Sequence, residues 1–148
     1  MANHLRRQIR ERAASTLTGL ATTGSNVFQS RVYPLAQAAL PGLTLYTNAE
    51  SVAIGAMGAT RTVTRDLELI VEGYAAASSN LEDTLDQIGK EVEVAMAGDI
   101  GLNSLALDSY LSSVETSFSG EGEKPVGVIR HTYAVVYRNA ENAPDAAI

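Results

Sequence analysis

The chain contains no cysteine, so neither a disulfide framework nor a thiolate metal site can form. That absence is compatible with synthesis in a reducing cytosol. Histidine is almost missing too. His4 and His131 are the only two, and they supply neither H-x-x-x-H nor H-E-x-x-H spacing, so no metal site is expected. His131 reads instead as a sheet-face residue. No G-x-S-x-G elbow is present to expose a nucleophile, and Ser112, Ser113 and Ser117 read as strand and loop residues. Long apolar runs are lacking as well. Val32 to Ala49, as long as any uncharged stretch in the chain, is interrupted by Pro34, Gln37, Pro41 and Gly42, which makes it too short and too broken for a bilayer span. The Arg-rich start is not followed by an apolar h-region and is not read as a secretory signal, although its amphipathic, Ser/Thr-rich character also resembles a transit peptide. Proline is scarce, at four residues, and charges of both signs are mixed, which argues against a disordered chain.

What is present suits one folded unit. A chain of 148 residues is an ordinary single domain that buries roughly two-thirds of its unfolded surface. The apolar content is 45% and the mean hydropathy is near zero. The net charge of −6 and isoelectric point of about 4.8 argue against a general nucleic-acid-binding surface. Arg6, Arg7, Arg10 and Arg12 crowd the start, with Glu11 the only acid among them. Between Asp66 and Glu123, Lys90 is the only basic residue. Such polarity suits a subunit whose basic patch meets a neighbour's acidic one; the plainer reading is two oppositely charged, solvated helices.

Periodicity predicts a first helix over His4–Leu20, with Leu5, Ile9, Ala13 and Leu17 on one face and a stop at the Thr22–Ser25 run. Val27-Phe28 is a short apolar piece. The Pro41-Gly42 pair marks a turn into a strand over Leu43–Tyr46. Asn48–Thr60 is Ala- and Gly-rich without a period and reads as a long mobile loop. The clearest strand covers Arg61–Tyr74, where Val63, Leu67, Leu69 and Val71 alternate with Thr62, Thr64, Asp66, Glu68 and Glu72. Ile70 breaks that alternation and reads as an isolated exposed apolar residue. A second helix covers Leu81–Ala97, with Ser79 or Asn80 as cap, Glu82 or Asp83 as capping-box partner, and a stripe of Leu81, Leu85, Ile88, Val92 and Ala95. Leu105–Phe118 and Val126–Arg138 read as an antiparallel strand pair joined by the Gly120–Pro125 turn, with Ile129, His131, Tyr133, Val135 and Tyr137 on one face. Residues 139–148 are small and polar and are expected to fray as a flexible tail. The expected fold is α+β: a single domain over residues 1–138, with an antiparallel sheet and two amphipathic helices on one face. The other face is then wet or buried in an oligomer.

A search for chemistry leaves little. Gly120, Gly122 and Gly127 sit between two β-type runs, whereas a phosphate loop needs a strand followed by a helix N-terminus. Asp66 with Glu68 and Glu72, or Glu82 with Asp86, read as solvating acids or intersubunit partners. With no nucleophile–base constellation, the chain is expected to be no enzyme and to use no cofactor.

The order of elements resembles the minor tail protein U type of tail terminator found in lambda-like siphophages. Arg31-Val-Tyr-Pro34, the Leu40–Thr47 run, Arg65–Glu72, the Leu81–Ala97 helix and the closing Arg130–Arg138 strand carry the resemblance, and residues 140–148 lie outside it. It implies a hexameric ring of this chain that caps the tail tube, stops its polymerisation and presents a surface to the head connector. The implied partners are other copies of the chain, the major tail tube protein and the head–tail connector protein, with DNA only passing through the lumen and no membrane. The implied location is the tail or neck of a virion assembled in the host cytoplasm. One weak contact per subunit becomes a stable cap when six act together. On this reading the tube contact lies on Asn48, Glu50, Ser51, Ile54, Met57 and Thr60, with the Gly120–Pro125 turn as an addition; an ordinary loop is the alternative. The subunit interface draws on Arg6, Arg7, Arg10, Arg61 and Arg65 against Asp66, Glu68 and Glu72. A head–tail joining adaptor of the same assembly is the alternative function, and a small non-phage enzyme or binding module a more distant one.

Overall fold

The computed structural model describes residues 2–29, 40–55, 58, 60–76, 79–119 and 125–148. Its first element, helix α1 (Leu5–Leu17), forms because Leu5, Ile9, Ala13, Ala14 and Leu17 fall on one buried stripe. His4 caps it, its Nδ1 accepting from the Arg6 N–H at 3.1 Å. The helix ends three residues short of the expected Leu20. Thr18 turns extended and its hydroxyl donates back to the Ala14 carbonyl at 2.7 Å, satisfying an open helix-end carbonyl.

Five strands follow around the second helix: β1 (Val27–Phe28), β2 (Gly42–Ile54), β3 (Thr62–Ala76), then α2 (Leu81–Ala97), β4 (Asp108–Ser119) and β5 (Val126–Ala140). They form one sheet in the order β1-β2-β3-β5-β4. The expected sheet is wholly antiparallel; the observed one is mixed, because β1 pairs parallel with β2 (Val27↔Leu43, Phe28↔Thr44). Parallel neighbours need a long crossover, and residues 29–41 supply the chain between them. The other three pairings are antiparallel. The architecture is a single α+β domain.

Both helices lie on the sheet face formed by Leu43, Leu45, Leu67, Leu69, Val71, Ile129, Tyr133, Val135 and Tyr137, and with it make one core. Close approach of α2 needs two glycines. A Cβ at Gly73 would meet Ile88 Cγ2 at 2.7 Å, and one at Gly127 would meet Leu85 Cδ1 at 2.8 Å. Leu85, Ile88, Gly89, Val92 and Met96 form the buried stripe of α2; Leu81 and Ala95, expected on it, are only partly buried. The capping box does not form. Asn80 is left-handed (φ 61°, ψ 27°) and its side chain makes no cap bond, since capping needs an extended residue there. Its carbonyl instead accepts from the Thr84 hydroxyl at 3.1 Å.

Four further expectations change. Asn48–Ile54 is the second half of β2, paired with β3 from Glu50↔Leu67 to Ile54↔Val63 after an irregularity at Thr47/Glu50. The stretch looked like a loop because Ser51–Ile54 are exposed, so no burial imposes alternation on them. Ile70 is 5% exposed rather than a surface residue. It lies mid-strand between Tyr46 and Thr132, on the face away from the helices, where Thr44 and Glu72 are also buried. β5 runs past Arg138, with Val63↔Asn139 and Thr62↔Ala140 in register. Beyond it the Pro144 carbonyl accepts from Leu5 N–H at 2.9 Å, and Ile148 N–H donates to Arg138 at 3.1 Å. β4 begins at Asp108 rather than Leu105, because Leu102, Asn103 and Ser104 form a left-handed run. No helix among the described residues is long and apolar enough to cross a membrane.

Candidate assembly surface

The residues assigned to contacts between molecules are largely drawn into contacts within one. Glu50, placed on the tube-contact loop, is a β2 residue whose side chain is 8% exposed. Its carboxylate accepts from Arg6 Nη1 at 2.6 Å, from Arg65 Nη1 at 3.2 Å and from the Tyr137 hydroxyl. Arg65 also donates to Asn139 Oδ1 at 2.9 Å and lies over the Tyr137 ring. Burial and the adjacent carboxylate both push the Tyr137 phenol up. Two arginines assigned to the interface and one acid assigned to the tube thus form one polar cluster beneath the start of α1.

The remaining assignments divide in the same way. Arg7 pairs with Glu11 at 2.7 Å and Arg61 with Glu141 at 2.9 Å. Arg10 donates to the neutral Gln29 at 3.1 Å. Glu68 accepts from Asn48 at 3.0 Å. Glu72 is not a solvating acid. It is buried and accepts from Arg130 Nε at 3.2 Å. Asp66, Ser51, Ile54 and Thr60 stand exposed. Met57 and the turn residues Gly120–Lys124 lie outside the described residues, as does Arg31–Pro34 of the resemblance.

Both histidines have structural surroundings. His131 is fully buried under α2, with Nε2 3.3 Å from Glu93 Oε2 and no partner for Nδ1 among the described residues. Burial pushes its pKa down, and Glu93 pulls it only partly back. Among the described residues no three His, Asp or Glu side chains are arranged to hold a metal.

Apart from Ile54, sequence reasoning missed the surface with the largest exposed apolar side chains. β4 is an edge strand with Tyr110, Val114 and Phe118 exposed, and Val52 and Ile54 are exposed at the far end of β2. An open groove of about 380 Å3 runs between α2 and β4, lined by Glu93, Met96, Ile100, Tyr110, Leu111 and Tyr133. A second, of about 240 Å3, continues along the same strand beside Glu82, Asp86, Thr116 and Phe118. The available signal was the absence of Lys and Pro from the Asp108–Ser119 run, since protected edges usually carry one or the other.

No protein-family model matches the chain, and no curated protein matches it. Among solved structures, it is similar to a chain of the virion of a native gene transfer agent particle, at 11% identity, with 92% of each chain covered and a TM-score of 0.43.

Proposed function

We propose that this chain is the subunit of a phage tail terminator, a ring that caps the tail tube, stops its growth and offers its other side to the head connector. The observation that carries the reading is the pair of strand edges, β4 and the outer half of β2, that have no further strand beside them among the described residues, on opposite sides of one sheet, each bearing apolar side chains. A sheet with two such edges is suited to copies of itself arranged head-to-tail, the geometry that closes rings. The resemblance of the Leu40–Thr47, Arg65–Glu72, Leu81–Ala97 and Arg130–Arg138 segments to tail terminators supplies the particular assembly. Six copies make the ring, and the tube protein and the connector protein are its partners. The chain works by shape and charge and is no enzyme. An acidic surplus suits a lumen through which DNA slides without sticking. Its place is the tail or neck of the virion, reached by assembly in the host cytoplasm.

The test is tail length. Particles assembled without the protein should carry overlong tubes in electron micrographs, and uniform tubes of normal length refute the terminator. A pull-down against purified tube protein and purified connector protein separates the terminator from a head–tail joining adaptor, which binds the connector and leaves tube length unchanged.

A further inference from the structure

The two edges of the sheet differ in charge as well as position. α1 covers the β1–β2 side, and its flank toward that edge carries Arg6, reaching Glu50 on β2, and Arg10, reaching Gln29 just past β1. Its opposite flank, Arg12 and Thr16, turns to Asp99 after α2. α2 covers β3 and β5, and its flank toward the β4 edge carries Glu82, Asp86 and Glu93, all exposed and bordering the grooves along that strand. One edge of the molecule is therefore flanked by arginines and the other by acids.

Strand direction permits the two edges to meet. β2 and β5 run one way and β3 and β4 the other. Displacing a copy sideways and along the strands, with its helices on the same face, brings β4 antiparallel to the neighbour's β2 beyond the part that β1 covers. The seam then sets the acidic flank of α2 beside the basic flank of α1. On β2 the stretch from Asn48 to Ile54 has no strand on its outer side among the described residues. Across the seam, β4 spans twelve residues. A long edge with exposed Tyr110, Val114 and Phe118 and no Lys or Pro is a template for another strand.

We infer that copies of this chain join head-to-tail by strand addition, β4 of one against Asn48–Ile54 of the next, with Arg10 of the second copy facing Glu82 and Asp86 of the first. This deepens the ring reading and rests on it for closure. It replaces the expected contact of the arginines with Asp66, Glu68 and Glu72 by one with the acids of α2.

Because the chain lacks cysteine, disulfide trapping reads the seam directly. Ser51→Cys is combined in turn with Ser113→Cys, Glu115→Cys and Ser117→Cys, all on the face away from the helices, to cover neighbouring registers. Purified protein is oxidised over a concentration series up to its solubility limit. One double variant should give a ladder of covalent oligomers. The matching single variants should stay monomeric alone and stop at a dimer when mixed. A dimer from a β4 single variant alone would mean edge-to-same-edge pairing and overturns the inference, as does the absence of any product from all three doubles. Arg10→Glu and Asp86→Arg, both away from the core, should each weaken association about two- to fivefold and together restore it; no change from either overturns the charge pairing. Tail length is read separately. A ladder with tails of normal length sinks the terminator and leaves the seam, whereas overlong tails without a ladder do the reverse.

Discussion

Replacing Glu50 by alanine asks whether the polar cluster under α1 belongs to the fold. The carboxylate is 8% exposed, and Arg65, one of its two arginine partners, is 15% exposed. Removing the acid strands the Arg65 guanidinium and the Tyr137 hydroxyl in a dry place. Breaking a buried pair from one side costs about 3–5 kcal/mol. Arg6, 42% exposed, turns to water, and its share is under about 1 kcal/mol. Arg65 keeps Asn139 and the Tyr137 ring, so the lower end of the range, about 3 kcal/mol, is expected. In a chain of this length that corresponds to a fall in Tm of roughly 6–12 °C. Urea unfolding followed by circular dichroism measures it, with an unchanged m-value showing that both end states are intact. Glu50→Gln keeps an acceptor oxygen without the charge and should cost about half as much. If Glu50→Ala unfolds within about 0.5 kcal/mol of the parent, the carboxylate is a surface group free for contact with another molecule, and the reasoning fails.

Other outcomes follow from the same contacts. Gly73→Ala pushes a methyl against Ile88 and Ile129 and should cost about 1–3 kcal/mol; in an Ile88→Ala background the same change should cost less, and equal costs in a double-mutant cycle refute the clash. Asp99 accepts from Arg12 Nε at 2.9 Å and Thr16 Oγ1 at 2.7 Å. Burial pushes its carboxyl up, but these bonds and one from the Asn103 N–H outweigh it and hold the group below its ordinary 3.8. The unfolded chain therefore takes up the proton first, and this contribution is complete above that value and lost as pH falls through the folded one. Asp99→Asn should flatten the acid limb of a stability–pH curve. For His131, burial lowers the folded pKa below the ordinary 6.5, so stability is fully present above that value and declines as pH drops below it. His131→Gln should remove that slope, and an unchanged profile would show the ring to be solvated.

How much was legible depended on whether burial left a trace. α2 was readable to the residue, because Leu85, Ile88 and Val92 repeat at helical spacing and Gly98 ends the run. β3 and β5 were readable because one face of each meets the helices, which forces Val63, Leu67, Leu69 and Val71, and Ile129 through Tyr137, into alternation. The outer half of β2 left no such trace. Apart from Glu50 its side chains are exposed, and its order comes largely from backbone bonds to β3, which are blind to side-chain identity. Ile70 was misread for a related reason: in the middle of a sheet a residue can be buried on the face away from the helices, and no one-strand pattern reveals it.

Local chemistry written along the chain, namely hydrophobic spacing, glycine stops and the separation of basic from acidic segments, was enough to determine an α+β domain with two helices on one sheet face. Which charges meet was decided only in three dimensions. Glu50 reaches Arg6, Arg65 and Tyr137 across separations of 44, 15 and 87 residues, and Glu72 reaches Arg130 across 58. Ion pairs act over a few ångströms while the chain encodes only order, so the fold alone could turn those residues inward and leave two strand edges outward.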